Sequence, residues 1–416
     1  MERSDSLALL FSASDSGRPG GETGRCINDE PDARRMTVAD AATGQDRVIL
    51  CATDAGGACN LAPLLPVLRA HELAVTVITR PRLLPLFDDV SGGRADRIVD
   101  GEDLGDERLL ALLSEDGLRA VICGTTRYAS PDRSLVRMAR AAGIRITVVL
   151  DEWYAYRFRF TVPDTKEAVV FPDAIALQDE VALHDATGEA IPASICRITG
   201  APSLAHLTSW AEGLRKEPPQ APKILDELAG RPVVTFLSET HAADFGSAPG
   251  EQGPLGAFLG YTETSVWQSV REVLERIGKP VVVVEKLHPS AESEIARPPA
   301  TPPVDWRPVQ EAHLWSLLWH SDLVLGMTSM ALLEAAVLGR RTVSYQPGMI
   351  GEERCTAVRL GIAGRVESAD ELEAICEDVI GNRAFRRDSR VRRFPFAAVE
   401  AARNVVELAL EGTSRS

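Results

Sequence analysis

Apolar positions along this chain come in unbroken blocks of strand length, separated by turns and by segments of helical spacing. Residues 48–52 (Val-Ile-Leu-Cys-Ala) form the first block and run through a glycine turn, residues 53–60, into a predicted helix over 61–70. Further strands are predicted at 74–79, 120–123, 144–150, 174–177 and 195–199, with helices at 107–113 and 134–142 between them. A second series follows: a strand at 233–237, a helix at 264–277, a strand at 281–284 and a helix at 309–320. It ends in a βαβ unit, where the run 323–325 breaks at Gly326, a helix starts at Thr328 or Ser329 and stops at Gly339, and a strand follows at 342–344. Continuous apolar strands alternating with helices predict parallel sheets covered on both faces. The expected class is α/β, with two Rossmann-like doubly wound domains facing a cleft.

A length of 416 residues suits two domains. Residues 1–45 lack sustained periodicity and are expected to be a mobile leader, with Met36 as an alternative start. The first domain is expected over 46–200, a charged, Pro-rich linker over 201–230, the second domain over 231–395, and a C-terminal helix and tail over 396–416. The net charge of −15 argues against nucleic acid or an anionic membrane as the main partner, and nothing resembles a membrane span. Seven cysteines with no CxxC spacing read as reduced thiols of a cytoplasmic protein, without structural zinc or disulfides.

Doubly wound sheets bind ligands outside the carboxyl ends of their strands. At one such end stand Asp151 and Glu152, followed by Trp153, Tyr156, Arg157 and Arg159, a pattern suited to general-base chemistry and to stacking on a sugar ring. Asp151 directly follows the apolar run and is the preferred base; Glu152 is expected to pair with Arg157 or Arg159. Loop and hydroxyls at Thr328 and Ser329, ahead of a helix, suit a phosphate. Glu334, the only charge in that helix, is expected to face a partner or a ligand.

These features together resemble a GT-B glycosyltransferase: two Rossmann-like halves, Gly200-Ala201-Pro202 before the linker, Lys286-Leu287-His288-Pro289 after a strand, and Thr328-Ser329 with Glu334. The resemblance is to the bacterial group with an HP motif and a serine motif, which includes sialyl-, polysialyl- and capsule-polymer transferases. It implies a metal-independent transfer of sugar from a nucleotide-activated donor to a hydroxyl acceptor, with no cofactor. The first domain would then take the acceptor and the second the donor. Ser238, Glu239, Lys286, His288, Pro289, Thr328, Ser329 and Glu334 would bind the donor, with His288 also serving catalysis at its phosphate. Asp54, Gly56, Gly57, Asn60, Trp153, Tyr156 and Arg157 would bind the acceptor. The group's acidic pair is followed by glycine, where this chain has Trp153. A nucleotide-sugar 2-epimerase of the same fold and a non-catalytic sugar-nucleotide-binding protein are the alternatives.

Overall fold

The computed structural model describes residues 45–88, 94–102, 104–126, 130–161, 169–214, 219–288, 301–310, 312–381 and 392–413. The leader expected over 1–45 falls outside them apart from residue 45, as does Pro289.

Seven parallel strands build the first sheet: β1 (Arg47–Ala52), β2 (Ala74–Thr79), β3 (Arg97–Asp100), β4 (Leu118–Cys123), β5 (Ile146–Val149), β6 (Ala174–Leu177) and β7 (Cys196–Ile198). Their order is β3-β2-β1-β4-β5-β6-β7, so the direction of winding reverses between β1 and β4. Helices α1 (Ala55–Leu61), α2 (Leu64–Ala70), α3 (Leu84–Asp88), α4 (Asp106–Leu113), α5 (Pro131–Ala142) and α6 (Glu180–Gly188) connect them. The helix expected over 61–70 begins earlier and divides in two, because Pro63 has no N–H to continue the ladder.

Helix α7 (Pro202–Gly213) leads out of the first half. It occupies the start of the stretch expected to be linker, with Pro202 in its first turn and Leu204, Ala205, Leu207, Thr208 and Ala211 buried. The second sheet holds β8 (Val233–Leu237), β11 (Val281–Lys286), β12 (Val304–Val309), β13 (Leu323–Gly326), β14 (Arg341–Tyr345) and β15 (Gly364–Val366), all parallel, in the order β12-β11-β8-β13-β14-β15. Its reversal lies between β8 and β13.

Around that sheet lie α8 (His241–Phe245), the hairpin β9 (Gln252–Gly253) and β10 (Gly256–Ala257), α9 (Glu263–Ile277), α10 (Leu314–Trp319), α11 (Ala331–Val337), α12 (Thr356–Arg359) and α13 (Ala369–Gly381). One expectation changes here. The segment 309–320 is the end of edge strand β12 followed by the shorter α10, since Pro308 is tolerated on a sheet edge. The glycine-rich stretch up to Gly260 carries α8 and the hairpin.

The chain then returns to the first half. In α14 (Ala401–Leu410), Val405, Val406 and Ala409 pack with Leu64, Leu68, Val75 and Ala176, and Arg145 donates to the carbonyls of Leu408 (2.8 Å) and Ala409 (3.1 Å) at the helix end. The two halves share a continuous apolar core in which Leu237, Leu318 and Leu332 join Leu150, Trp153 and Leu207.

Candidate active site

Asp54, Asp151, Glu239 and Thr328 each stand two residues beyond the last residue of a strand: β1, β5, β8 and β13. Three of those strands flank the two reversals of winding, where adjacent connections leave in opposite directions and open a crevice. The topology thus brings an acidic cluster of the first half and the β13–α11 turn of the second to the ligand-binding ends of their sheets.

Asp54 caps α1, accepting from the Gly57 N–H at 2.7 Å. Gly56 allows the Asp151 carboxylate to sit against the first turn of that helix: a β-carbon on residue 56 would lie 2.0 Å from Asp151 Oδ2. Burial pushes Asp151 up to about 7; the Arg159 guanidinium opposes the shift, and the charges of Glu152 and Asp54 add to it. Asp54 is pushed up to about 6, by burial first and by Asp132, against the Gly57 hydrogen bond.

Arg159 lies beneath this cluster. It is buried, pairs with Asp151 at 3.1 Å and with Glu152, and donates to the Thr125 carbonyl at 2.7 Å. Burial alone would weaken its charge, but the two carboxylates raise its pKa. Of the two arginines expected to pair with Glu152, Arg159 does so; Arg157 is exposed and uses its backbone N–H on Glu189 (2.8 Å). Tyr154 donates to Glu152 from the other side at 3.0 Å. A further buried acid, Asp132, accepts from Thr53 Oγ1 (3.1 Å), the Thr126 N–H (2.9 Å) and Ser130, tying the ends of β1 and β4 together.

Three expected acceptor residues do other work. Trp153 and Tyr156, 1% and 0% exposed, are core side chains, and Trp153 donates to both carboxylate oxygens of Asp179 at 3.0 and 2.9 Å. A ring sealed in the core offers no face to a sugar. Asn60 is buried as well, donating to the Gly56 carbonyl (3.2 Å) and accepting from Ser203 at the start of α7. Gly57 packs beneath the turn, where a β-carbon would meet Asp54 Oδ1 at 3.0 Å.

In the second half, Glu239 fills the turn expected to receive a phosphate. Its carboxylate accepts from the N–H groups of Met327 (2.7 Å) and Thr328 (3.0 Å) and from Thr328 Oγ1 (2.8 Å), with His241 Nε2 at 3.0 Å. Ser329 Oγ accepts from the Ala331 N–H at 3.2 Å. The Lys286 ammonium donates to the carbonyls of Leu287 (3.1 Å) and Gln310 (2.7 Å). Ser238 is buried, with its N–H on the Lys286 carbonyl. His288 is half-buried, two residues past β11 and one strand away from the winding reversal.

Glu334, on α11, accepts from Trp315 Nε1 at 2.8 Å; burial pushes it up to about 7 against that bond. Its charge reaches Cys59 on α1, whose thiol burial and Glu334 together push up to about 12. Beyond Glu152 an open cleft of about 600 Å3 lies between the halves, lined among others by Tyr154, Phe158, His184, Glu352, Arg354 and Arg359. Arg359 bridges them by donating to the Trp153 carbonyl (3.0 Å) and pairing with Asp185. Among the described residues no cluster of metal-ligating side chains and no helix long and apolar enough to cross a membrane is found.

No protein-family model matches the chain, and no curated protein matches it. Solved structures do. UDP-GlcNAc 2-epimerase from Neisseria meningitidis, bound to UDP-GlcNAc, superposes with a TM-score of 0.58 at 14% identity over 88% of this chain and 100% of that one. The Methanocaldococcus jannaschii UDP-GlcNAc 2-epimerase, in complex with UDP-GlcNAc and UDP, gives 0.58 at 12% identity over 88% and 100%. A glycotransferase of kitacinnamycin gives 0.51 at 14% identity over 88% and 99%. The likeness shows the fold: two Rossmann-like domains of the GT-B type. It does not single out the HP-motif transferase group. It also corrects the glycosyltransferase expectation, because 2-epimerases predominate among these neighbours and favour the epimerase alternative.

Proposed function

We propose that this chain is a nucleotide-sugar 2-epimerase, inverting the configuration at C2 of a hexose carried on a nucleoside diphosphate. The observation that carries the reading is the Asp54–Asp151 pair around Gly56, one acid pushed to about 6 and the other to about 7, at the ligand-binding end of the first sheet. Inversion needs one group to take a proton from carbon and another to return it, and acids poised near neutrality perform either role.

A C2–H with no carbonyl beside it is weakly acidic. Its removal becomes feasible when the C1–O bond to the diphosphate breaks in the same step, leaving a C1=C2 double bond. Return of a proton to the opposite face of C2, with the diphosphate re-adding at C1, gives the epimer. Atoms balance without a second substrate. In this reading Asp54 and Asp151 divide the two proton transfers between them, Arg159 steadies the carboxylate charge, and Glu334 meets the nucleotide from the second half. Burial of Trp153 and Tyr156, which removes the platform an acceptor sugar would need, favours the same conclusion.

The test is proton NMR of the protein with UDP-N-acetylglucosamine in D2O and no acceptor. Deuterium at C2 and appearance of the 2-epimer are expected. Intact substrate with its C2 proton retained, from protein that binds UDP, rejects the assignment.

A further inference from the structure

We infer that Trp315 is a positioning residue for the Glu334 carboxylate, and that helix α7 holds Trp315 so that this carboxylate stays in register with the acids of the opposite half. Among the described residues the indole N–H of Trp315 is the hydrogen-bond donor to the Glu334 side chain, at 2.8 Å. The ring carrying that N–H is held on α7 by His206 (5.6 Å between centroids) and Trp210 (5.4 Å), with His313 at 6.1 Å. The same helix begins on α1, where Ser203 donates through its N–H (3.2 Å) and Oγ (3.1 Å) to Asn60, which in turn donates to the Gly56 carbonyl.

One rigid element therefore touches both sides. Its first turn fixes the α1 turn against which Asp151 lies, and its aromatic face fixes the donor to Glu334. An indole wedged among tilted and edge-on aromatic rings loses little further freedom when it donates, so the carboxylate meets a donor already in place. The titratable groups around this contact are Cys59 of α1, which feels the Glu334 charge, and His206 and His313, which pack on the Trp315 ring.

The inference rests on the nucleotide-sugar reading, and its test separates the two. Affinity for UDP is measured by calorimetry from pH 5.5 to 8.5 for the full chain and for Trp315→Phe, which keeps the ring and removes the N–H. Glu334 sits near pH 7 with its donor present, so loss of the donor moves its protonation, and any pH step in UDP affinity, upward. At pH 7 the affinity is expected to change by about three- to tenfold, the effect of one ordinary hydrogen bond. In a Glu334→Ala background, where the indole N–H has no side-chain acceptor on α11 to hold, the same substitution should do nothing further. Trp210→Leu, which loosens the ring without touching the bond, should shift the pH step the same way by less.

A Trp315→Phe protein with the pH profile and affinity of the parent overturns the inference while leaving the epimerase reading intact. So does an equal loss in the Glu334→Ala background, which would mark a general packing role. A parent protein that does not bind UDP overturns both.

Discussion

Asp151 and Gly56 share one small volume: the carboxylate Oδ2 stands 2.0 Å from the place a β-carbon on residue 56 would take. Asp151 is short and tied to buried Arg159, so a methyl group at 56 has to displace the carboxylate from the α1 turn. Gly56→Ala is therefore expected to fold with a modest loss of thermal stability and to lose at least about a hundredfold in turnover, the scale of misplacing an acid–base group. Circular dichroism melting and the C2 deuterium-exchange rate, read together, check it; near-parental exchange in a folded variant rejects the placement.

Asp151 itself gives a second expectation. Asp151→Asn should retain UDP affinity and lower C2 exchange by roughly a hundredfold to ten-thousandfold, the usual range for general acid–base catalysis. Glu152→Gln should cost less, since Glu152 is held by Arg159 and Tyr154 and only adjusts the Asp151 charge. A larger loss from Glu152→Gln would reverse the two roles.

Much of this was legible in the chain. Strands β1, β2, β4, β8 and β11 are built on apolar runs, and the rule that ligands gather at strand ends pointed to Asp151 and Thr328, which stand two residues past β5 and β13. Strand β12 escaped because an edge strand tolerates Asp305, Arg307 and Pro308, which erase its apolar signature. Helix α7 escaped because the linker composition just beyond it dominates the window, although Leu204, Leu207 and Ala211 carry its spacing. What the sequence could not convey is which way an irregular turn faces. Trp153 and Tyr156 look like a sugar platform in one dimension and point into the core in three. Nor is there a local signal that Glu239 reaches 89 positions along the chain to occupy the Thr328 turn.

That occupancy is itself testable. Glu239→Gln replaces one acceptor oxygen with an NH2 group facing donors, leaving part of the set formed by the Met327 and Thr328 N–H groups and Thr328 Oγ1 without a partner. A loss of about 1–3 kcal/mol is expected, with faster amide exchange concentrated at residues 327 and 328. Unchanged protection of the Thr328 amide would show that the turn holds its shape without Glu239.

Arg359 joins the halves beside the cleft through the Trp153 carbonyl and Asp185. A part-exposed ion pair contributes only about 0.2–1 kcal/mol, so Arg359→Ala should barely alter the melting temperature. It should nonetheless loosen the cleft, because the polar link from α12 to the Trp153 carbonyl and Asp185 is lost while the apolar core between the halves remains. Small-angle scattering is expected to show a larger radius of gyration than the parent, and an identical scattering curve would remove Arg359 from this role.

Glu334 supplies a pH dependence whose sign follows from burial. Its folded-state pKa of about 7 lies above the ordinary value of 4.5, so between those limits the folded protein holds a proton that the unfolded chain has released. Stability attributable to this group therefore falls as pH rises from about 4.5 to about 7, and above that range the buried charge remains a constant cost. Glu334→Gln removes the charge and keeps an oxygen to accept from Trp315. Discounted for partial solvent access, the gain should be about 1–2 kcal/mol at pH 8 and should vanish near pH 4.5. Urea unfolding of both proteins at the two pH values measures it. A gain of equal size at both would assign the effect to packing, and a loss at pH 8 would mean that the Glu334 charge has a cationic partner.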